Sequence, residues 1–427
     1  MPRAGLAANL ANPMARSAGF LAPLVVVAAL AGVTISAEAQ SFTLLNAPPE
    51  AGTSFAFGLS DDGRSVAGWK SGPAGFLWTA GAGRNDFGIG LNPTQGRGIS
   101  GDGRVVVGGG GPGSGAFAFR WSATGGYQNL GTLPGFAQAM AHDANVDGSI
   151  VVGTLESTLT NGTPQAFRWT ASGGMQGLGV GTRANAISGD GSVIVGTLSD
   201  QPRAMRWTQA GGAQQLPSLG GSGASHARAI NFDGSIIVGN SGPTFRPTMW
   251  INGSPTELQS TIVNSTLTPF GVSDDGMVVG GQVQGSGGST FAGVWTQSTG
   301  IVRLTDYLTS NGVSLPAGIV LESCTSVSSD GRTFAGFTTN TSPGSIQGWV
   351  ATVPTPCPAD LDNDGSLTNG GTRDRAVTID DLLYLLVAFE SGNLAADLDN
   401  GSNTGTRDNA VTIDDLLYFL SHFEAGC

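Results

Sequence analysis

Charge is scarce in this chain. Asp, Glu, Lys and Arg make up 12 % of its 427 residues, about half the usual share, and lysine occurs once, as Lys70. The 31 acidic groups outnumber the 19 basic ones, for a formal charge of −12, which excludes a basic nucleic-acid-binding surface. Cysteine is confined to Cys324, Cys357 and Cys427, and histidine to His142, His226 and His422. No pair among them has zinc-site spacing, so a zinc-stapled fold is excluded and the histidines read as structural or exposed. No apolar run reaches the ~20 residues that would span a bilayer. Glycine is the surplus, with 69 residues and no G-X-Y period. So much glycine beside 40 % apolar residues points to many tight turns, and hence to an all-β fold with a packed core.

An internal period accounts for the glycine. A D-G-x4-G phrase begins at Asp62, Asp102, Asp147, Asp190, Asp233, Asp275 and Asp330. The steps between its first glycines are 40, 45, 43, 43, 42 and 55 residues. A tryptophan follows in each unit: Trp78, Trp121, Trp169, Trp207, Trp250, Trp295 and Trp349. In the fourth unit Ala186–Ser188, Val193–Gly196, Ala204–Thr208 and Ala213–Leu216 read as four short strands, with Asp190-Gly191 as a hairpin turn. Four strands in ~40–45 residues is one blade of a β-propeller, so seven units predict seven blades. The last unit ends at its third strand, Gly348–Val353, and Phe42–Leu45 is a strand without a unit. Pairing the two closes the ring and leaves no open edge. The long last step holds Leu304–Leu321, read as a short helix or loop inserted on one rim. The repeated Asp and Trp read as turn and packing residues. Cys324 reads as a buried thiol of the last blade.

The phrases Ile99-Ser100-Gly101-Asp102-Gly103, Ala166-Phe167-Arg168-Trp169-Thr170 and Leu130-Gly131-Thr132-Leu133-Pro134-Gly135 resemble the HAF-repeat family of extracellular proteins. The resemblance spans about residues 55–353. It implies location and architecture, not an activity.

Acidity concentrates in residues 357–427, which hold 13 acidic and three basic groups against 18 and 16 in the rest. Two segments there align. Ala359–Asn363 matches Ala396–Asn400, and Ala376–Tyr384 matches Ala410–Tyr418. Alternating aspartates on a turning loop offer the oxygens that calcium prefers, and a later carboxylate on the first helical turn, Asp381 or Asp415, closes the shell. Thr378-x-x-Asp381 and Thr412-x-x-Asp415 have the form of a capping box. Two helices follow and stop near Gly392 and Gly426. Leu382, Leu385, Leu386 and Phe389 are expected on one apolar face, repeated as Leu416, Phe419, Leu420 and Phe423.

This duplicated loop–helix unit resembles a dockerin, an EF-hand-like calcium domain, in the form ending in Gly-Cys. The resemblance implies two Ca2+ ions, held by Asp360, Asp362, Asp364 and Asp381 in the first loop and by Asp397, Asp399 and Asp415 in the second. Thr378 and Thr412 stand where a dockerin often has Asn. The loops span 22 and 19 residues, Asp360–Asp381 and Asp397–Asp415, rather than 12. If the surplus bulges out, Asp374 and Asp408 take the fifth ligand position, and Asp374 then displaces Asp364. A Cys357–Cys427 disulfide would staple a module with little core. A dockerin also implies a partner, a cohesin-like scaffold or surface protein.

Arg3 and Arg16, the apolar stretch Phe20–Val33 and Ala37-Glu38-Ala39 describe a secretory signal cleaved near Ala39. The expected organisation is a signal over 1–39, a propeller over 40–354 and a dockerin-like module over 355–427. The mature chain is then secreted, extracellular or at the cell surface, without a membrane span and without nucleic acid as partner. The function this supports is a non-catalytic binding or display protein, with a glycan or protein on the propeller. The alternative is a dockerin-bearing glycoside hydrolase or lyase. Outside the turns, carboxylates are sparse (Asp86, Asp143, Glu156, Asp200, Glu257, Asp306, Glu322) and form no recognisable pair.

Overall fold

The computed structural model describes residues 41–45, 52–72, 74–88, 94–110, 117–157, 162–198, 202–262, 265–339, 346–354, 379–392, 396–399 and 410–425, without the side chains of 286, 379–381 and 424–425. The expected signal segment lies outside these residues.

Seven four-stranded antiparallel sheets make the seven blades of a propeller. In blade 1, Ser54–Leu59, Ser65–Lys70, Ala74–Thr79 and Gly83–Phe87 pair in chain order from the inside outwards. Blades 2 to 6 repeat that meander. Their innermost strands are Gln95–Ile99, Gln138–Ala144, Thr182–Ile187, Ser225–Ile230 and Thr266–Val272. Blade 7 takes three strands from Val320–Thr352 and its outermost from Ser41–Leu44, which runs antiparallel to Gly348–Thr352 with Ser41 opposite Thr352 and Leu44 opposite Trp349. The ring is thus closed by the amino-terminal strand, as the unit count predicts.

The repeat phrase explains each blade locally. The first glycine sits in the left-handed region in all seven turns, with φ between 66° at Gly148 and 75° at Gly234. In blade 4 the Ser188 hydroxyl donates to Asp190 Oδ1 (2.6 Å) and accepts the Val193 N–H (3.0 Å), while Ser192 N–H donates to Asp190 Oδ1 (2.9 Å). Asn145 and Asn231 replace that serine and accept the corresponding N–H through Oδ1. The turn aspartate is therefore structural. The second glycine permits close approach: a Cβ on Gly196 would lie 1.8 Å from the Arg183 carbonyl oxygen, and one on Gly68 2.3 Å from the Phe76 ring.

Phe76, Phe119 and Phe167 fill the same third-strand position and are fully buried, each contributing roughly 2–3 kcal/mol by removal from water. Six of the repeat tryptophans lie two residues further on. Trp349 does not. It faces Gly336 in the register that pairs Phe76 with Gly68, and so occupies the buried phenylalanine position. The long step between blades 6 and 7 holds the helix α1 (Leu304–Ser310), which buries Leu304 and Leu308 against Phe334 and Trp349.

Two further helices, α2 (Ile379–Ser391) and α3 (Ile413–Ala425), share one apolar cluster. Leu385, Ala388, Tyr418 and Phe419 are its buried members on the helices, with Ala396 and Leu398 from the segment between them. Gly392 ends α2 in the left-handed region, its N–H on the Phe389 carbonyl. One expectation fails: Leu386 is 38 % exposed. Leu382, Leu385, Ala388 and Phe389 complete the face at i, i+3 and i+4 spacing, which turns Leu386 to its outer edge.

Candidate functional site

The innermost strands of all seven blades line one central cavity of about 480 Å3. At the end carrying the Asp-Gly turns, the residue before each turn aspartate takes part in a circumferential chain of hydrogen bonds. Asp61 N–H donates to Gly101 O (2.9 Å), Asp102 to Val146 O (2.8 Å), Val146 to Gly189 O (3.0 Å) and Asp190 to Phe232 O (3.2 Å). Phe232 N–H donates to the Asp274 carboxylate (2.9 Å). Asp274 N–H then donates to Ser329 O (2.9 Å), and Ser329 N–H returns to Asp61 O (3.0 Å). Every blade is clasped to the next at this end.

A second layer lies deeper. Each innermost strand breaks register five residues before its turn aspartate, as between Ala56 and Gly58 or between Ala184 and Ala186. Such a β-bulge bends the strand and re-aims one side chain. The seven bulged residues, Phe57, Arg97, His142, Asn185, Arg228, Phe270 and Thr325, all line the cavity. Three of them tie blades together. His142 Nδ1–H donates to Ala184 O (2.7 Å), Asn185 Nδ2 to Ala227 O (2.7 Å) and Thr325 Oγ1 to Ala56 O (2.9 Å). Arg97 lies over the Phe57 ring (4.7 Å) and Arg228 over Phe270 (5.4 Å).

Carboxylates stand between the layers. Burial, reinforced by the charges of Asp274, Asp62 and Asp102, pushes the Asp61 carboxyl up to about 6. It rests over Gly101, where a Cβ would lie 2.1 Å from its Oδ2. Asp143 occupies the position that holds Gly58, Gly98 and Gly271 in other blades and Ala186 and Ala229 in two more. Its oxygens accept the N–H groups of Ala144 (2.8 Å) and Ile187 (2.9 Å). Half-buried at the cavity wall, it is pushed up to about 7 by loss of solvent, against those two donors. Burial also lowers His142, which therefore stays neutral.

Of the carboxylates singled out by sequence, Asp143 is the only one among the described residues that lines this cavity. Asp86 pairs with Lys70 (2.6 Å) and Arg84 (2.7 Å), Glu156 with Arg183, and Glu257 with Arg246 (2.7 Å), all outside the cavity lining. The reading by sequence missed Asp61 and Asp274. A signal existed, because both precede a turn aspartate where the other units have Gly, Val, Phe or Ser.

Of the residues expected to hold calcium, Asp360, Asp362, Asp364, Asp374, Thr378 and Asp408 lie outside the described residues, as do Cys357, Cys427 and the side chain of Asp381. Asp397, Asp399 and Asp415 are buried, at 2 %, 2 % and 0 % exposure. Asp415 Oδ1 accepts the N–H groups of Leu398 (2.6 Å) and Asp399 (2.8 Å), and its Oδ2 that of Thr412 (2.7 Å). It thereby pins the loop to the first turn of α3, at a helix end that favours a negative charge. Buried carboxylates need donors or a cation, and an all-oxygen donor set fits a hard ion such as Ca2+. Three of the four lone-pair directions of Asp415 already face N–H groups, which leaves it at most one further contact. Among the described residues no three carboxylates converge closely enough to form a metal site by themselves. Cys324 is fully buried and its thiol is pushed up to about 12.

No protein-family model and no curated protein sequence matches the chain. Solved structures do. An oligogalacturonate lyase from Vibrio parahaemolyticus is 13 % identical, with 74 % of this chain and 94 % of that one covered and a TM-score of 0.48. A streptogramin B lyase is 13 % identical over 73 % and 97 %, with a TM-score of 0.48. TolB from Acinetobacter baumannii is 17 % identical over 48 % and 53 %, with a TM-score of 0.33.

Proposed function

We propose that the protein is an exported, non-catalytic binding and display protein, with its ligand in the central channel. One observation carries the reading. The scaffold positions repeat from blade to blade, whereas the bulged layer holds two arginines, two phenylalanines, a histidine, an asparagine and a threonine. A cavity of this size with a few oriented polar groups among aromatics is what a small-ligand site requires. A glycan, or a side chain of a protein partner, has that size and polarity. No helix among the described residues is long and apolar enough to cross a membrane, which is compatible with export.

The carboxy-terminal module, in this reading, attaches the propeller to a cohesin-like extracellular or surface partner and holds two Ca2+ ions. Support comes from the buried Asp397, Asp399 and Asp415 beside α3 and from the second copy of the same sequence. The test is to immobilise the full chain and capture exported and surface proteins of its host with calcium and with chelator. A calcium-dependent partner is expected. No such partner, together with calcium-independent stability of α2 and α3, would refute the attachment.

A second reading, a polysaccharide-degrading hydrolase or lyase, is favoured by Asp61. This carboxyl is pushed up to about 6 beside Asp274, and a carboxyl so poised suits general acid–base work. Turnover of any polysaccharide that disappears in Asp61→Asn would establish the enzyme. Binding without turnover would leave the display reading.

A further inference from the structure

We propose that the central channel binds a small organic oxyanion, a carboxylated or phosphorylated ligand of sugar size, between Arg97 and Arg228. This rests on the channel being the ligand site, as proposed above, and adds the chemistry of the ligand.

The two guanidinium groups belong to the same bulged layer, in blades 2 and 5, and each lies over the phenylalanine of an adjoining blade. Stacking of this kind fixes the plane of the guanidinium fork. The other polar members of the layer, His142, Asn185 and Thr325, are committed to blade carbonyls. The arginines are not. Arg97 directs Nε and Nη2 to the neutral Gln95 Oε1 (3.2 and 2.8 Å), and Arg228 Nε is buried without a hydrogen-bond partner. Among the described residues neither forms an ion pair.

Arg97 is exposed to the channel and Arg228 is half-buried with its Nε enclosed, and an oxyanion is the group that satisfies such forks without a counter-charge, by paired N–H···O bonds. The cavity's own carboxylates do not fill that role. Neither arginine is among the groups that shift Asp61 or Asp143. The carboxylates stand towards the Asp-Gly turns. Arg183 and His226, two residues before the bulge in blades 4 and 5, stand towards the opposite end. Arg183 is paired there with Glu156 and burial favours the neutral form of His226, so the attraction for an anion rests on Arg97 and Arg228.

The experiment is calorimetric titration of the full-length protein at about neutral pH with glucuronate, glucose 6-phosphate and glucose. At least one charged sugar is expected to bind at least about tenfold more tightly than glucose, with an affinity that falls as salt is raised. The tighter of the two names carboxylate or phosphate as the source. Arg97→Gln and Arg228→Gln should each weaken that binding at least about tenfold. The exposed Arg104→Gln should not, and unchanged melting would show that the variants fold. Glucose binding as tightly as its charged relatives, with loss in Phe270→Ala, would overturn the charge assignment and keep the channel reading. Charged-sugar binding unaffected by either arginine substitution would overturn the proposal as well. No binding of any probe would overturn both.

Discussion

Asp143→Asn removes a carboxyl from a layer otherwise made of Gly, Ala and Ser. Burial raises that carboxyl from 3.8 to about 7. A carboxyl raised on folding keeps its proton in the folded state while the unfolded chain has lost it, so stability falls as pH rises between those two values. The penalty is absent below about pH 4 and complete above about pH 7. At about 1.4 kcal/mol per unit its ceiling is roughly 4 kcal/mol, and contact with the cavity reduces what is realised. The variant keeps one acceptor for the Ala144 and Ile187 N–H groups and loses the other, a pH-independent cost of about 1 kcal/mol. Asp143→Asn should therefore be no more stable than the parent at about pH 4, where the penalty is absent, and should gain on it by about 2 kcal/mol towards pH 8. Urea unfolding followed by tryptophan fluorescence reads the difference as a shift in midpoint. A difference between variant and parent that is the same at both ends would show that Asp143 does not titrate, and would refute the reasoning.

Deleting residues 41–44 removes the outermost strand of blade 7 and its Phe42–Trp349 stack, centroids 6.2 Å apart. The ring then opens, and the melting temperature should fall by several degrees, as a loss of a few kcal/mol implies. Cys324, its thiol pushed up to about 12, stays protonated and should resist thiol reagents up to about pH 9, reacting only on unfolding. Asp415→Ala strips three backbone N–H groups of their acceptor. Hydrogen exchange at Leu398, Asp399 and Thr412 should accelerate at least about tenfold, with blades 1 to 7 unaffected.

Periodicity made the propeller legible. Asp-Gly turns are local: the glycine needs a positive φ and the preceding serine or asparagine reaches the turn by itself, so seven phrases predict seven hairpins. Trp349 shows where periodicity misleads, since an aromatic near the expected place turned out to fill the phenylalanine position. Leu386 shows the same for a helix face, whose edge depends on what packs opposite.

The blade count, the closure by the amino-terminal strand and the helices α2 and α3 were determined by the sequence alone, because each follows from spacing along the chain. The cavity wall was decided only by the tertiary structure. A one-residue bulge in each innermost strand arises from its pairing with the next strand, and it selects Arg97 and Arg228 from among neighbours of equal apparent merit. Likewise Asp61 became a buried carboxyl only when seven turns met around one axis, over a glycine of the adjoining blade that leaves it room.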